Sequence, residues 1–135
     1  MDSKLGHLQI NIKAGNLGFY KDLLGFLEWP TVYEGDGMFG VAGKNGDSLW
    51  FSESANDAKN DYDGVGMNHL GFAVSSQAEV DQAAGYLQKN GIAALFGTPC
   101  HRPDFASGES DTYYQVMFAT PDNLLVEVVY TGPKQ

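Results

Sequence analysis

The sequence predicts an α+β fold made of one β-α-β-β-β module used twice. Three observations carry that reading. Residues 5–12 alternate polar and apolar side chains and run into a stretch with helical spacing. The same succession restarts at Met67-Asn68-His69-Leu70-Gly71-Phe72. Each helical stretch is then followed by three short strand-like runs with turn residues between them.

In the first module, His7, Gln9 and Asn11 share one face of a strand, opposed by Leu8, Ile10 and Ile12. Period two with one polar and one apolar face marks a half-buried strand. Leu17, Tyr20, Leu24 and Leu27, with Phe19 and Leu23 alongside, follow helical spacing, and Gly25 is the expected stop. Strands are expected around 29–34, 38–42 and 48–53, joined by Gly35-Asp36-Gly37 and Lys44-Asn45-Gly46-Asp47 as hairpin turns. Residues 54–66 are polar and glycine-rich, as a surface connection between modules should be. Module one thus covers about 1–60 and module two about 61–135 of a single domain.

In the second module, His69, Gly71 and Ala73 oppose Leu70, Phe72 and Val74. A helix follows with Val80, Ala83, Ala84 and Leu87 inward. Ser75 or Ser76 caps its start, with Glu79 three residues after Ser76, and Asn90-Gly91 ends it. Strand-like runs recur around 92–97, 113–119 and 124–130, with a polar loop at 101–111.

Bulk composition narrows the function classes. The chain has 135 residues, 43% of them apolar, enough for a real core. With eight Lys plus Arg and a net charge of -9, it lacks the basic stripe that displaces counterions from nucleic acid. Binding to an anionic membrane surface is disfavoured for the same reason. No apolar run reaches the roughly 20 residues a bilayer span needs, and no signal-peptide core follows Met1. The lone Cys100 cannot form an internal disulfide, which fits a reducing cytoplasm.

His7 and His69 stand at matching module positions, each on the polar face of its strand. On the last strand, Leu125, Glu127 and Val129 share a face. A glutamate among apolar residues is costly to bury unless a metal, a protonated histidine or solvent meets it. Two imidazoles and one carboxylate make a divalent-metal ligand set with open coordination positions. A single histidine in such a strand is more often structural; the matched pair is the stronger signal.

The duplicated βαβββ order resembles the vicinal oxygen chelate superfamily over essentially the whole chain. That group includes glyoxalase I, extradiol dioxygenases, fosfomycin-resistance enzymes and bleomycin-resistance proteins. The motifs that carry the resemblance are Phe19-Tyr20-Lys21-Asp22-Leu23-Leu24-Gly25-Phe26, the Met67–Phe72 strand and Phe118-Ala119-Thr120-Pro121-Asp122. It implies a cupped mixed sheet with helices outside, a homodimer, and His7, His69 and Glu127 as ligands to Fe, Mn, Ni or Zn. The fourth ligand position of the superfamily falls on Trp50, which cannot coordinate. Met117 stands where extradiol dioxygenases carry a tyrosine, and the basic residues that hold a phosphonate in fosfomycin-resistance enzymes have no recognisable counterpart.

Residues sharing the ligands' face should line a small-molecule pocket: Gln9, Asn11, Trp50 and Ser52 from module one, and Tyr113, Gln115 and Met117 from module two. Trp50 and Met117 could equally fill a closed core. Arg102, the only arginine, is a candidate clamp for a substrate carboxylate. The expected function is a metal-dependent lyase or dioxygenase that chelates a small oxygenated metabolite. The alternative is a non-catalytic protein that sequesters a small molecule.

Overall fold

The computed structural model describes residues 1–135, which divide into two compact units, Met1–Lys59 and Asn60–Gln135. In the first, β1 (His7–Ile12) leads through a single 3-10 turn into α1 (Leu17–Phe26). Then come β2 (Thr31–Gly35), β3 (Met38–Ala42) and β4 (Ser48–Glu53). The sheet order is β1-β4-β3-β2, with β1 parallel to β4 and the other pairs antiparallel. Ile10 and Ile12 of β1, Leu49 and Phe51 of β4, and Phe39 and Val41 of β3 are buried with Tyr20, Leu23 and Leu24 of α1. Tyr20 stacks on Phe51 at 4.8 Å between ring centroids. One sheet face is therefore committed to the core, and the odd-numbered residues of β1 are left on the other.

Gly25 does not stop α1. The helix continues to Phe26, and Glu28 takes the left-handed conformation that ends it, with φ 59°. Its amide bonds the Gly25 carbonyl at 3.1 Å. The left-handed residue at a helix end satisfies orphan carbonyls whatever its type, and glycine is only the least strained choice.

The second unit repeats the plan with β5 (His69–Ala73), α2 (Gln77–Lys89), β6 (Cys100–His101), β7 (Asp111–Ala119) and β8 (Leu125–Pro133). The order is β5-β8-β7-β6, again with one parallel pair, β5 with β8. Ser76 is the N-cap of α2, its Oγ accepting from the Glu79 amide, while Glu79 Oε2 accepts from the Ser75 amide at 2.7 Å. Gly91 closes the helix at φ 69°. Val80, Ala83 and Leu87 are buried along with Phe72, Val116, Phe118, Val126 and Val128.

The strand expected at 92–97 is absent. Only Ala94 bridges the sheet, opposite Phe118. Phe96 and Gly97 both have positive φ, 56° and 68°, and leave the extended region. The first of the three strands after α2 is instead the two-residue β6, straddling the start of the stretch read as loop at 101–111. The α+β architecture of two βαβββ modules, each helix on one sheet face, is otherwise as expected. No helix is long and apolar enough to cross a membrane.

Candidate metal and ligand site

Register within each sheet sets the site. In the second unit Gly71 pairs with Glu127, and Glu127 with Met117. His69, two residues before Gly71, therefore shares a face with Glu127, as do Tyr113, Gln115 and Met117 at even steps along β7. Glu127 is only 3% exposed. Its carboxylate has room because residue 71 has no side chain: a Cβ there would lie 3.2 Å from Glu127 Oε2.

The two carboxylate oxygens are treated differently. Oε1 accepts from the Tyr113 hydroxyl at 2.8 Å. With its amide oriented to pair both ends, Gln115 also donates to Oε1 and accepts from Arg102 Nε at 3.0 Å. Oε2 faces His69 Nε2 at 3.3 Å. Burial and the hydrogen bond to the charged carboxylate push the Tyr113 phenol up to about 12.

The histidine is oriented from behind. Asn68 Nδ2 donates to the Tyr62 carbonyl at 3.0 Å, which turns Asn68 Oδ1 toward the imidazole. Oδ1 accepts from His69 Nδ1 at 2.8 Å. In the neutral ring that leaves Nε2 as the lone-pair nitrogen. A lone pair and a carboxylate oxygen 3.3 Å apart repel unless a cation lies with them, either a proton on Nε2 or a metal ion. Two donors about 2.1 Å from one ion and about 100° apart would be about 3.2 Å from each other, so the separation fits a divalent metal. The His69 side chain is 39% exposed, so the arrangement is open on its imidazole side. No third His, Cys, Asp or Glu joins this pair within the unit.

A cleft of about 290 Å³ opens on these groups. His69, Glu127, Tyr113, Gln115 and Met117 line it, together with Phe96, Phe105, Tyr62 and Asn68, which the sequence reading missed. Phe96 and Phe105 are 55% and 66% exposed, and Phe105 meets Tyr113 edge-on at 5.4 Å. A large apolar residue in the polar loop at 101–111 was the signal available for Phe105; Phe96 sits in the stretch read as a strand and had none. Arg102 already has protein partners: besides Gln115, its Nη2 donates to the Phe96 carbonyl at 2.8 Å. A clamp on a substrate carboxylate would require it to exchange them.

In the first unit His7 pairs with Ser48, Gln9 with Trp50, and Asn11 with Ser52, so all six share one face. His7 is exposed there. Trp50 stands two residues along from the partner of His7, as Glu127 stands two along from Leu125, the partner of His69. Glu53 pairs with Ile12 and belongs to the opposite parity.

No family model matches the sequence. A curated relative, the uncharacterized protein YqjT of Bacillus subtilis, is 38% identical over 65 residues, 48% of this chain and 47% of that one. The match thus spans about half the length of the relative. Among solved structures, a candidate glyoxalase of Bacillus halodurans superposes with a TM-score of 0.77 at 24% identity, covering 93% of this chain and 94% of the other. A glyoxalase/dioxygenase of Nostoc punctiforme gives 0.73 at 16%, covering 96% and 91%. The fosfomycin resistance protein FosX of Listeria monocytogenes, complexed with Mn(II) and sulfate, gives 0.69 at 19%, covering 96% and 91%. The chain therefore has the fold of the vicinal oxygen chelate superfamily, as its motifs implied.

Proposed function

We propose that this chain is a divalent-metal-dependent enzyme acting on a small oxygenated metabolite, with His7, His69 and Glu127 as the protein ligands. The observation that supports it best is the pair of donor atoms in the second unit. A lone-pair nitrogen and a buried carboxylate oxygen are held 3.3 Å apart by their own hydrogen-bond partners. A bound divalent ion would supply Lewis acidity toward two neighbouring substrate oxygens. The chain's own groups do the rest. Tyr113 and Gln115 occupy Oε1 and leave Oε2 as the single coordinating oxygen. Asn68 sets the imidazole tautomer. Phe96, Phe105 and Met117 supply apolar walls to the cleft.

In this reading the two modules act as one domain and the protein works as a cytoplasmic homodimer. Gln9, Asn11, Trp50, Ser52, Arg102, Tyr113, Gln115 and Met117 contact the substrate. Mn²⁺ is the first ion to try, since FosX binds it; Fe²⁺, Ni²⁺ and Zn²⁺ follow. The test is metal analysis of protein purified without chelator, followed by Mn²⁺ titration of the wild type and Glu127→Gln. Loss of the anionic ligand should weaken binding by more than about 100-fold, beyond the 10- to 100-fold typical of changes behind the ligands. Wild-type affinity in the variant would sink the assignment.

A second reading has its own support. The second unit offers two ligands rather than three, inside a cleft with aromatic walls, which also suits a protein that sequesters a small molecule without metal. Undiminished binding of the natural ligand after chelator treatment would favour it.

A further inference from the structure

We propose that Trp50 is a stacking platform for a planar conjugated ring whose edge carries a hydrogen-bond donor beside an acceptor. The platform lies wholly within the first unit and requires no metal. One row of register partners crosses all four strands: Gln9 on β1, Trp50 on β4, Gly40 on β3 and Tyr33 on β2. The indole is laid over Gly40. A Cβ on that glycine would be 2.7 Å from Trp50 Cε3 and Cζ3 and 3.0 Å from Cη2, so the benzo ring occupies the place of a side chain. Near-equal distances to three consecutive ring atoms mean that the ring face, not one corner, meets the sheet. The indole N–H donates to Ser48 Oγ at 3.0 Å, which fixes the ring's rotation. Tyr33 stands beside it, 6.0 Å between centroids and tilted by 42°. Trp50 remains partly exposed, although Phe39 and Phe51, on the opposite face of β3 and β4, are buried.

The polar groups next to the ring are also ordered. Gln9 Nε2 donates to Ser52 Oγ at 3.1 Å, and Ser52 Oγ donates to Asn11 Oδ1 at 3.3 Å. Each amide is thereby oriented and keeps its other end open: the Gln9 carbonyl oxygen as an acceptor and the Asn11 NH₂ as a donor. A fixed indole face with an acceptor and a donor along one side matches a flat heterocycle bearing an imide or lactam edge. A saturated sugar or an open-chain oxo acid has no face to place on it.

Riboflavin, a flat tricycle with an imide edge, is a suitable probe, and its own fluorescence reports stacking on an indole. Titrating chelator-treated protein should quench it saturably. Dihydrouracil, which has the edge without the conjugated ring, should not compete at equal concentration. Trp50→Ala should weaken binding about 10- to 100-fold, the range for loss of one aromatic stacking partner. Trp50→Phe should recover part of it. Gly40→Ala, which displaces the ring without removing it, should also weaken binding at least about fivefold while circular dichroism stays native. Equal quenching by wild type and Trp50→Ala, or no saturable quenching by the folded wild type, overturns the proposal. Neither result bears on Mn²⁺ binding at Glu127, so the two readings fail separately.

Discussion

Replacing Tyr113 with Phe tests how Glu127 is held, because it removes one oxygen and leaves the ring in place. The lost contact is a 2.8 Å hydrogen bond to a buried carboxylate. Hydrogen bonds to charged groups contribute roughly 1.5–3 kcal/mol. Gln115 still donates to the same oxygen and Tyr113 is only partly buried, so the cost should lie near the bottom, about 1.5 kcal/mol. For 135 residues the unfolding entropy is about 0.28 kcal/mol/K, which makes the expected loss about 5 °C in Tm. The pH dependence gives an independent check. The fold raises this phenol from 10.0 to about 12 by burial first, then by its hydrogen bond to Glu127 and that group's charge. Between those values the unfolded chain has lost a proton that the folded chain keeps. The associated stability is complete below pH 10 and is lost as pH rises toward 12. Tyr113→Phe should flatten that decline by one tyrosine's share, with Tyr114, also raised to about 12, supplying the remainder. Ultraviolet phenolate titration should show one fewer late-titrating tyrosine. A Tm within 1 °C of wild type, together with an undiminished number of late-titrating tyrosines, would refute the account of Glu127's surroundings.

Two further outcomes follow from local geometry. Gly71→Ala puts a methyl 3.2 Å from Glu127 Oε2, whose partner oxygen is already tied down. Stability should change by less than about 1 kcal/mol, the backbone gain offsetting the squeeze, while Mn²⁺ affinity falls about tenfold; urea melts and metal titration separate the two effects. Asn123, at φ 58° in the turn before β8, also donates from Nδ2 to the Asn60 carbonyl at 2.9 Å. Ala and Gly both lose that bond, so Ala should be less stable than Gly by about 1 kcal/mol, the strain alone, as read by denaturant midpoints.

Period-two alternation made the sheet faces legible in advance. Gln9, Asn11, Trp50 and Ser52 fall on the face of His7, and Tyr113, Gln115 and Met117 on the face of Glu127. Helix starts were legible where a side chain does the capping, as Ser76 does. What escaped depends on backbone conformation or on long-range partners. Phe96 and Glu28 carry no sequence mark that they take positive φ. Arg102 looked like a free clamp because its partners, Gln115 and the Phe96 carbonyl, become visible only when β6 is laid beside β7. The orientation of His69 by Asn68 depends in turn on the Tyr62 carbonyl, six residues back in a loop.

The two modules reuse one backbone for different chemistry, and the position of a single glycine accounts for the divergence. Trp50 and Glu127 are equivalent: each is the central strand's residue two steps beyond the one that pairs with a module histidine. For Glu127 the glycine is on the parallel neighbour, Gly71 of β5, and Met117 fills the antiparallel side. The carboxylate therefore leans toward β5 and meets His69. For Trp50 the glycine is on the antiparallel neighbour, Gly40 of β3, and Gln9 fills the parallel side. The indole therefore leans away from β1, toward Tyr33. A carboxylate placed at position 50 would find Gln9 where Glu127 finds an empty site. More than the loss of a coordinating side chain thus separates module one from module two: the space a carboxylate would use to reach His7 is closed as well. The glycine that opens the other side is what lets an indole lie flat there.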